Sequence, residues 1–342
     1  MRFSDVLDIR NGRNQRQVEN ENGKYPIYGS GGVIGHADNF ICDAETVVIG
    51  RKGSINNPIF VDEPFWNVDT AFGLVANKEV LLPKYLYYFC VNYNFEQLNT
   101  TVTIPSLTKA NLLQIEIRVP DMDIQQNIVN VLDKICYLID VRRKELYSLD
   151  QLVKSRFIEL FGDPVSNSYG LPEATLSDLG EFGRGVSKHR PRNDIKLLGG
   201  KYPLIQTGDV ANAGLYITSY GNTYSELGLR QSKMWDKGTL CITIAANIAK
   251  TAILEFDACF PDSVVGFIAN ERTNNIFIHY WFSFFQEILE SQAPESAQKN
   301  INLKILSELK VIVPEKRKQD EFASFVKLTD KSKLFSEMEV AA

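Results

Sequence analysis

Along residues 123–161 apolar side chains recur at Ile124, Ile128, Val131, Ile135 and Leu138 and, after a break in phase near Arg142, at Leu146, Leu149, Val153, Phe157 and Leu160. Alternating spacings of three and four predict a helix with a coiled-coil seam. Over 123–161 such a helix spans roughly 58 Å. Gly162-Asp163-Pro164 ends it, glycine supplying a left-handed cap and proline barring continuation. On either side the pattern changes to short apolar runs broken by Gly, Asn and Asp. Val47–Ile49, Pro58–Val61, Phe72–Val75, Leu240–Ile244 and Val264–Ile268 read as strands, with helices at about 83–93 and 275–291.

The chain repeats itself. Residues 107–120, LTKANLLQIEIRVP, align without gaps with residues 301–314, INLKILSELKVIVP. Each copy reads as a polar-led helical turn, then an alternating strand (Ile115, Ile117, Val119; Leu309, Val311, Val313) ending at a proline. A helix with a glutamine near its start comes after each proline, DMDIQQNIVNVLDKI and EKRKQDEFASFVKLTDK. Upstream, Tyr25-Pro26-Ile27 is echoed by Tyr202-Pro203-Leu204. The expected architecture is α+β: two similar strand-rich modules, 1–120 and 163–314, separated by a central helix, 121–162, and followed by a shorter one, 315–342. In that second helix Phe322, Phe325, Val326, Leu328, Phe335 and Met338 are the apolar positions.

Composition narrows the functions. A chain of 342 residues, 44% apolar and 23% charged, can build two cores. Apolar runs long enough to span a membrane are absent, and the start lacks a basic-then-apolar leader pattern. Five scattered cysteines without a C-x-x-C argue against a disulfide frame or zinc site and for a reducing cytoplasm. Net charge is −5, and neither half is basic, so any grip on nucleic acid must come from local clusters or partner subunits.

The order module, long helix, module, helix, with its late segment duplicated, resembles the specificity subunits of type I restriction-modification systems. In the first half YPIYGSGGVIG (25–35), VIGRKGS (48–54) and PFWNVDTAF (64–72) carry the likeness. In the second, YPLIQTGDV (202–210), TIAANIAKTAIL (243–254) and FPDSVVGF (260–267) carry it more loosely. The resemblance implies target-recognition domains that each read one half of a split site in double-stranded DNA, with the helices pairing antiparallel as a spacer. It implies no cofactor on this chain. Modification subunits would bind S-adenosylmethionine and methylate adenine, and motor subunits would use ATP and Mg²⁺ and cut.

The residues themselves offer candidates for DNA contact. Ser30 and Gly31 lie in a glycine-rich turn able to approach a DNA backbone closely; its dinucleotide-binding alternative lacks the following helix. Arg51 and Lys52, between glycines and next to Ser54, suit a guanine edge and a phosphate, or a solvated hairpin. Asn67, Asp69 and Thr70 are base-edge or turn-stabilising candidates. Arg184, Lys188, His189, Arg190 and Arg192 crowd into nine residues, a phosphate-contacting strip or a solvated loop. Gln206, Thr207, Asn247 and Lys250 are lesser candidates, the last two at the second module's counterpart of the Arg51 loop. Ile124, Ile128, Val131, Ile135 and Leu138 form a subunit-interface candidate, for self-association or for modification subunits, because the second helix is too short to cover them.

Enzyme readings fare less well. Asn57-Pro58-Ile59-Phe60 misses the second proline of the adenine-methyltransferase N-P-P-F form, there is no Walker motif, and His36, His189 and His279 lack ligand spacing. The rivals to a non-catalytic specificity subunit are a stand-alone nuclease or methyltransferase with a divergent site, and a scaffold that has lost sequence reading.

Overall fold

The computed structural model describes residues 1–99, 105–245, 247–292 and 301–341, except for the side chains of 285–292, 332 and 334–341. Phe335 and Met338 therefore lie outside the described side chains. Two compact units divide the chain, Met1–Asp140 and Val141–Ala342. The boundary falls inside the long helix, Met122–Phe161, beside the break in its seam near residue 142. The two halves of that helix fall in different units.

In the first unit the strands are β1 (Leu7–Asn11), β2 (Tyr25–Gly29), β3 (Gly32–Ala37), β4 (Thr46–Gly50), β5 (Ile59–Val61), β6 (Trp66–Asn67) and β7 (Ala71–Ala76). They form sheets ordered β1-β7-β4-β5 and β3-β2-β6. β4 is buried at every position, which its unbroken Thr-Val-Val-Ile-Gly run requires. Ile9, Val47, Ile49, Phe72 and Leu74 meet Leu86 and Cys90 of the Pro83–Asn92 helix in the core.

The second unit contains β8 (Glu173–Thr175), β9 (Gly180–Arg184), β10 (Leu198–Leu204), β11 (Tyr216–Ile217), β12 (Asn222–Tyr224), β13 (Met234–Trp235), β14 (Leu240–Thr243), β15 (Thr251–Leu254), β16 (Ala258–Cys259), β17 (Val264–Ala269) and β18 (Lys310–Ile312). Their sheets run β11-β15-β14-β17-β9, β12-β10-β16-β13 and β18-β8.

Hydrogen-bond register shows these to be one fold built twice. Asn11 faces Phe72 as Arg184 faces Val265, and Val48 faces Gly73 as Cys241 faces Gly266. β2 runs parallel to β6 with Ile27 opposite Trp66; β10 runs parallel to β16 with Leu204 opposite Cys259. The Tyr-Pro echo in the sequence is therefore a structural equivalence. Even buried hydroxyls repeat: Thr46 Oγ1 donates to Asp43 O and Thr239 Oγ1 to Asp236 O, each at 2.7 Å.

The late repeat differs in one respect. Lys310–Ile312 pairs with β8 as a short strand, whereas its counterpart near Ile115–Ile117 is reduced to a bridge between Arg2 and Glu116. Met1 to Phe3 lie alongside it there, through reciprocal bonds between Met1 and Ile117 and a bond from Phe3 N–H to Ile115 O.

The C-terminal helix, Lys316–Ala341, packs antiparallel to the second half of the long helix. Arg156 binds Glu321, Lys333 binds Asp150, and Phe157 and Phe161 meet Phe322 edge-on. No helix among the described residues is long and apolar enough to cross a membrane.

His279, on the Asn275–Gln292 helix, is half-buried with Nδ1 2.9 Å from Thr251 Oγ1. Burial first, then the charge of Lys333, lower its pKa from the ordinary 6.5 to about 4. Below pH 6.5 the unfolded chain binds a proton that the folded imidazole refuses, so stability falls with pH until about 4. By pH 5 the loss amounts to about 2 kcal/mol. Urea titrations at pH 7.5 and pH 5 should show His279→Gln losing less stability than the parent by about that amount. Equal losses would remove His279 as the source.

Candidate nucleic-acid interface

Three loops of the first unit meet at one edge. The β2–β3 turn brings Ser30 against the segment after β4: a Cβ on Gly50 would lie 3.0 Å from Ser30 Cβ and 2.3 Å from Ser54 O. Gly53 and Gly32 take positive φ, +81° and +127°, so glycine is what lets both turns fold this tightly. Gly31 has open space on its Cβ side.

Arg51 is fixed by its backbone, and its Nη1 reaches Asp69 O at 3.5 Å. Its N–H donates to Thr70 O and its C=O accepts from Leu107 N, while the exposed guanidinium lies 5.7 Å from the Phe72 ring. Lys52, Ser54 and Asp69 are exposed and Thr70 is half-buried beside them. Asn67 is different. It is fully buried, its Nδ2 lies 3.3 Å from Ala71 O, and its Oδ1 accepts from Cys42 Sγ. This candidate shapes the loop from inside; a buried amide with its groups engaged does not meet a base edge.

In the second unit the basic strip is braced along its length. Gln231 Oε1 accepts from the N–H groups of Lys188 and His189 at 2.7 and 3.0 Å. His189 Nε2 lies 3.0 Å from Asp194, whose carboxyl is held below the usual range by the Lys196 N–H and by His189. Arg192 bonds to Asp262, and Arg190 lies 3.8 Å from the same carboxylate. Arg184 and Lys188 are exposed. Arg192, Gln206 and Thr207 line one concave site of about 360 Å³ with Asn193, Asn222 and Ser263.

Asn247 and Lys250 are not brought to that site. Lys250 faces a separate cavity of about 380 Å³ lined also by Asp150, Lys154, His279 and Lys333. The register refines the loop comparison: Arg51 N–H bonds Thr70 O where Ile244 N–H bonds Ser263 O. Arg51 thus corresponds by register to a buried Ile244, so its position carries no charge in the second module, where the cation of the loop is Lys250. Asp262, equivalent to Asp69, was not singled out by the sequence. Its signal was present in the matching runs VDTA (68–71) and PDSV (261–264), each leading into the next strand.

The Ile124, Ile128, Val131, Ile135 and Leu138 stripe is between 37% and 58% exposed. The long helix meets the first unit through another face, with Gln125 and Val129 buried and Asp133 bound by Tyr88 and Lys84.

A family model for the type I restriction modification DNA specificity domain matches residues 1–151 and 172–337. Relatives include a protein of Methanocaldococcus jannaschii, provisionally named a type I restriction enzyme specificity subunit, 22% identical over 75% of this chain and 63% of its own length. A similarly named protein of Haemophilus influenzae is 23% identical over 89% of this chain and 80% of its own. Among solved structures, the type I restriction-modification S subunit from M. genitalium overlays all of this chain and 91% of its own with a TM-score of 0.67 at 18% identity. A chain from a study of complex assembly and conformational transition in the type I system overlays 100% of this chain and 93% of its own, TM-score 0.57, at 15% identity. With the model matched once on each of the two structural copies, the chain belongs to the family of type I restriction modification DNA specificity domains.

Proposed function

We propose that this chain is the specificity subunit of a type I restriction-modification complex, a DNA reader that sets a bipartite target and leaves catalysis to its partners. The observation that carries the reading is one fold present twice with different chemistry at equivalent loop tips. Where the first module shows Arg51 and Lys52, the second has Ile244 and Ala245. The second in turn gathers Arg192, Gln206 and Thr207 at one concave site. A common frame with unlike polar side chains is what reading two unlike half-sites requires. On this reading modification subunits supply S-adenosylmethionine and methylate adenine, motor subunits supply ATP- and Mg²⁺-dependent cutting, and the assembly works in the cytoplasm. The exposed stripe on the long helix is where modification subunits dock.

Exchanging residues 165–300 for those of another family member tests this. Methylated sites mapped in cells carrying the hybrid and its partners should keep one half of the target and change the other. A hybrid that alters both halves together would refute independent readers. Purified chain given DNA, Mg²⁺ and methyl donor without partners should show no turnover; turnover would favour a self-sufficient enzyme.

A further inference from the structure

The basic strip of the second module leaves its sheet at one defined point, and the first module has the same exit. β9 ends at Arg184 opposite Val265, and Gly185 N–H then donates to Val264 O at 2.9 Å. β1 ends at Asn11 opposite Phe72, and Gly12 N–H donates to Ala71 O at 3.2 Å. Both glycines cross over equivalent backbone with no room for a side chain. A Cβ on Gly12 would lie 1.7 Å from Val68 O, and one on Gly185 would lie 2.2 Å from Phe260 O and 2.4 Å from Pro261 O. Residues 13–17 therefore occupy the place in the first module from which the Lys188–Arg192 strip runs in the second.

Directly after Gly12 the chain reads Arg13-Asn14-Gln15-Arg16-Gln17, two cations and no acid in a chain of net charge −5. The backbone is tied down while the charges are not. Arg13 N–H donates to Asn67 O, and Arg13 O accepts from Trp66 Nε1 at 3.0 Å. Asn14 Oδ1 accepts from Arg16 N–H, and Gln15 O closes a turn by accepting from Val18 and Glu19. Both arginines are exposed, and neither forms an ion pair with a described residue. The bond to Asn67 places Arg13 on the loop that also presents Asp69 and Thr70, beside Arg51.

We propose that Arg13–Gln17 is the DNA-backbone arm of the first module, the counterpart of Lys188–Arg192, with Arg13 and Arg16 contacting phosphates. The inference rests on the reading of the chain as a DNA-binding specificity subunit. It explains why the motif Trp66-Asn67 is built inward: the indole N–H and the Asn67 carbonyl hold the arm. A guanidinium offered without an intramolecular anion displaces counterions from a phosphate and carries no base preference of its own.

The test uses the full chain assembled with its modification subunits and a random-sequence duplex, with affinity measured across salt concentration. Arg13→Ala/Arg16→Ala should flatten the plot of log affinity against log salt by about two contacts, a slope change of roughly 1.8. Arg13→Lys/Arg16→Lys should keep the parent slope, and both variants should melt as the parent does, since the side chains are exposed. Lys188→Ala/Arg190→Ala is the reference for the second arm. If that reference flattens the slope and Arg13→Ala/Arg16→Ala does not, the first arm is refuted while the DNA-binding reading stands. If the lysine variant loses as much slope as the alanine variant, the contact is not one of charge and the arm is likewise refuted. If no variant of either arm changes the slope, the DNA-binding reading falls with it.

Discussion

Replacing Gln319 by alanine should destabilise the second unit by about 3–6 kcal/mol, and Gln125→Ala should do the same to the first. Both side chains are fully buried at the start of a long helix. Gln319 Nε2 donates to Pro314 O at 2.8 Å and Arg272 O at 3.0 Å, and its Oε1 accepts from Thr273 Oγ1 at 2.9 Å. Gln125 Nε2 donates to Pro120 O and Val80 O, both at 2.8 Å, and its Oε1 accepts from Leu82 N–H at 2.9 Å. One amide thus ties the proline before the helix to the loop beside it. Alanine leaves three polar groups without this partner, each costing about 1–3 kcal/mol when fully buried. The bonds to Arg272 and to the Gln125 partners are part-buried, so water recovers some of the cost and the sum falls short of the upper bound. Against a domain stability of about 5–15 kcal/mol the loss is large. Hydrogen exchange should report it locally, protection falling in residues 141–341 for Gln319→Ala and in 1–140 for Gln125→Ala. A cost below about 1 kcal/mol in either would mean the amide is replaceable by water.

These glutamines mark what the sequence disclosed and what it withheld. Their recurrence after each proline was visible because the segments 107–120 and 301–314 align without a gap. The partners of each amide were not, since Val80 and Arg272 lie far upstream in irregular chain. The strands β4, β7, β14 and β17 were legible because burial on both faces demands unbroken apolar runs. Arg13 and Arg16 escaped notice for a different reason. The connections between equivalent strands differ in length, so the spacing from the arm to the late repeat is not the same in the two modules. Only the ladder contacts of Asn11 and Arg184 restore the equivalence. Asn67 is the opposite case. An amide among Trp, Asp and Thr reads equally as a base-edge or a turn-stabilising residue in one dimension, and its full burial favours the second. Lys250 shares a loop with the Arg51 counterpart but lines the cavity shared with His279 and Lys333, because a common loop does not fix which side a side chain leaves from.

Ile128→Asp should abolish assembly with modification subunits while leaving the chain folded. The seam predicted from 124 to 160 divides at the break in phase: Val153 and Phe157 are buried, whereas Ile124, Ile128, Val131, Ile135 and Leu138 are exposed. The first unit already holds the long helix through Gln125, Val129 and Asp133, so the stripe is spare apolar surface on a helix secured elsewhere. Covering five half-exposed side chains of this size would recover on the order of 5 kcal/mol. An aspartate at its centre would have to be desolvated on docking, a cost that removes most of that gain. At Ile128, 37% exposed before any partner arrives, the substitution should cost the isolated chain little stability. Light scattering and co-purification separate the outcomes. A monomeric chain that loses its modification subunits on Ile128→Asp supports the docking surface. A dimer of the isolated chain that the same substitution dissociates would assign the stripe to a second copy. Unchanged assembly in both experiments would show that the stripe docks neither.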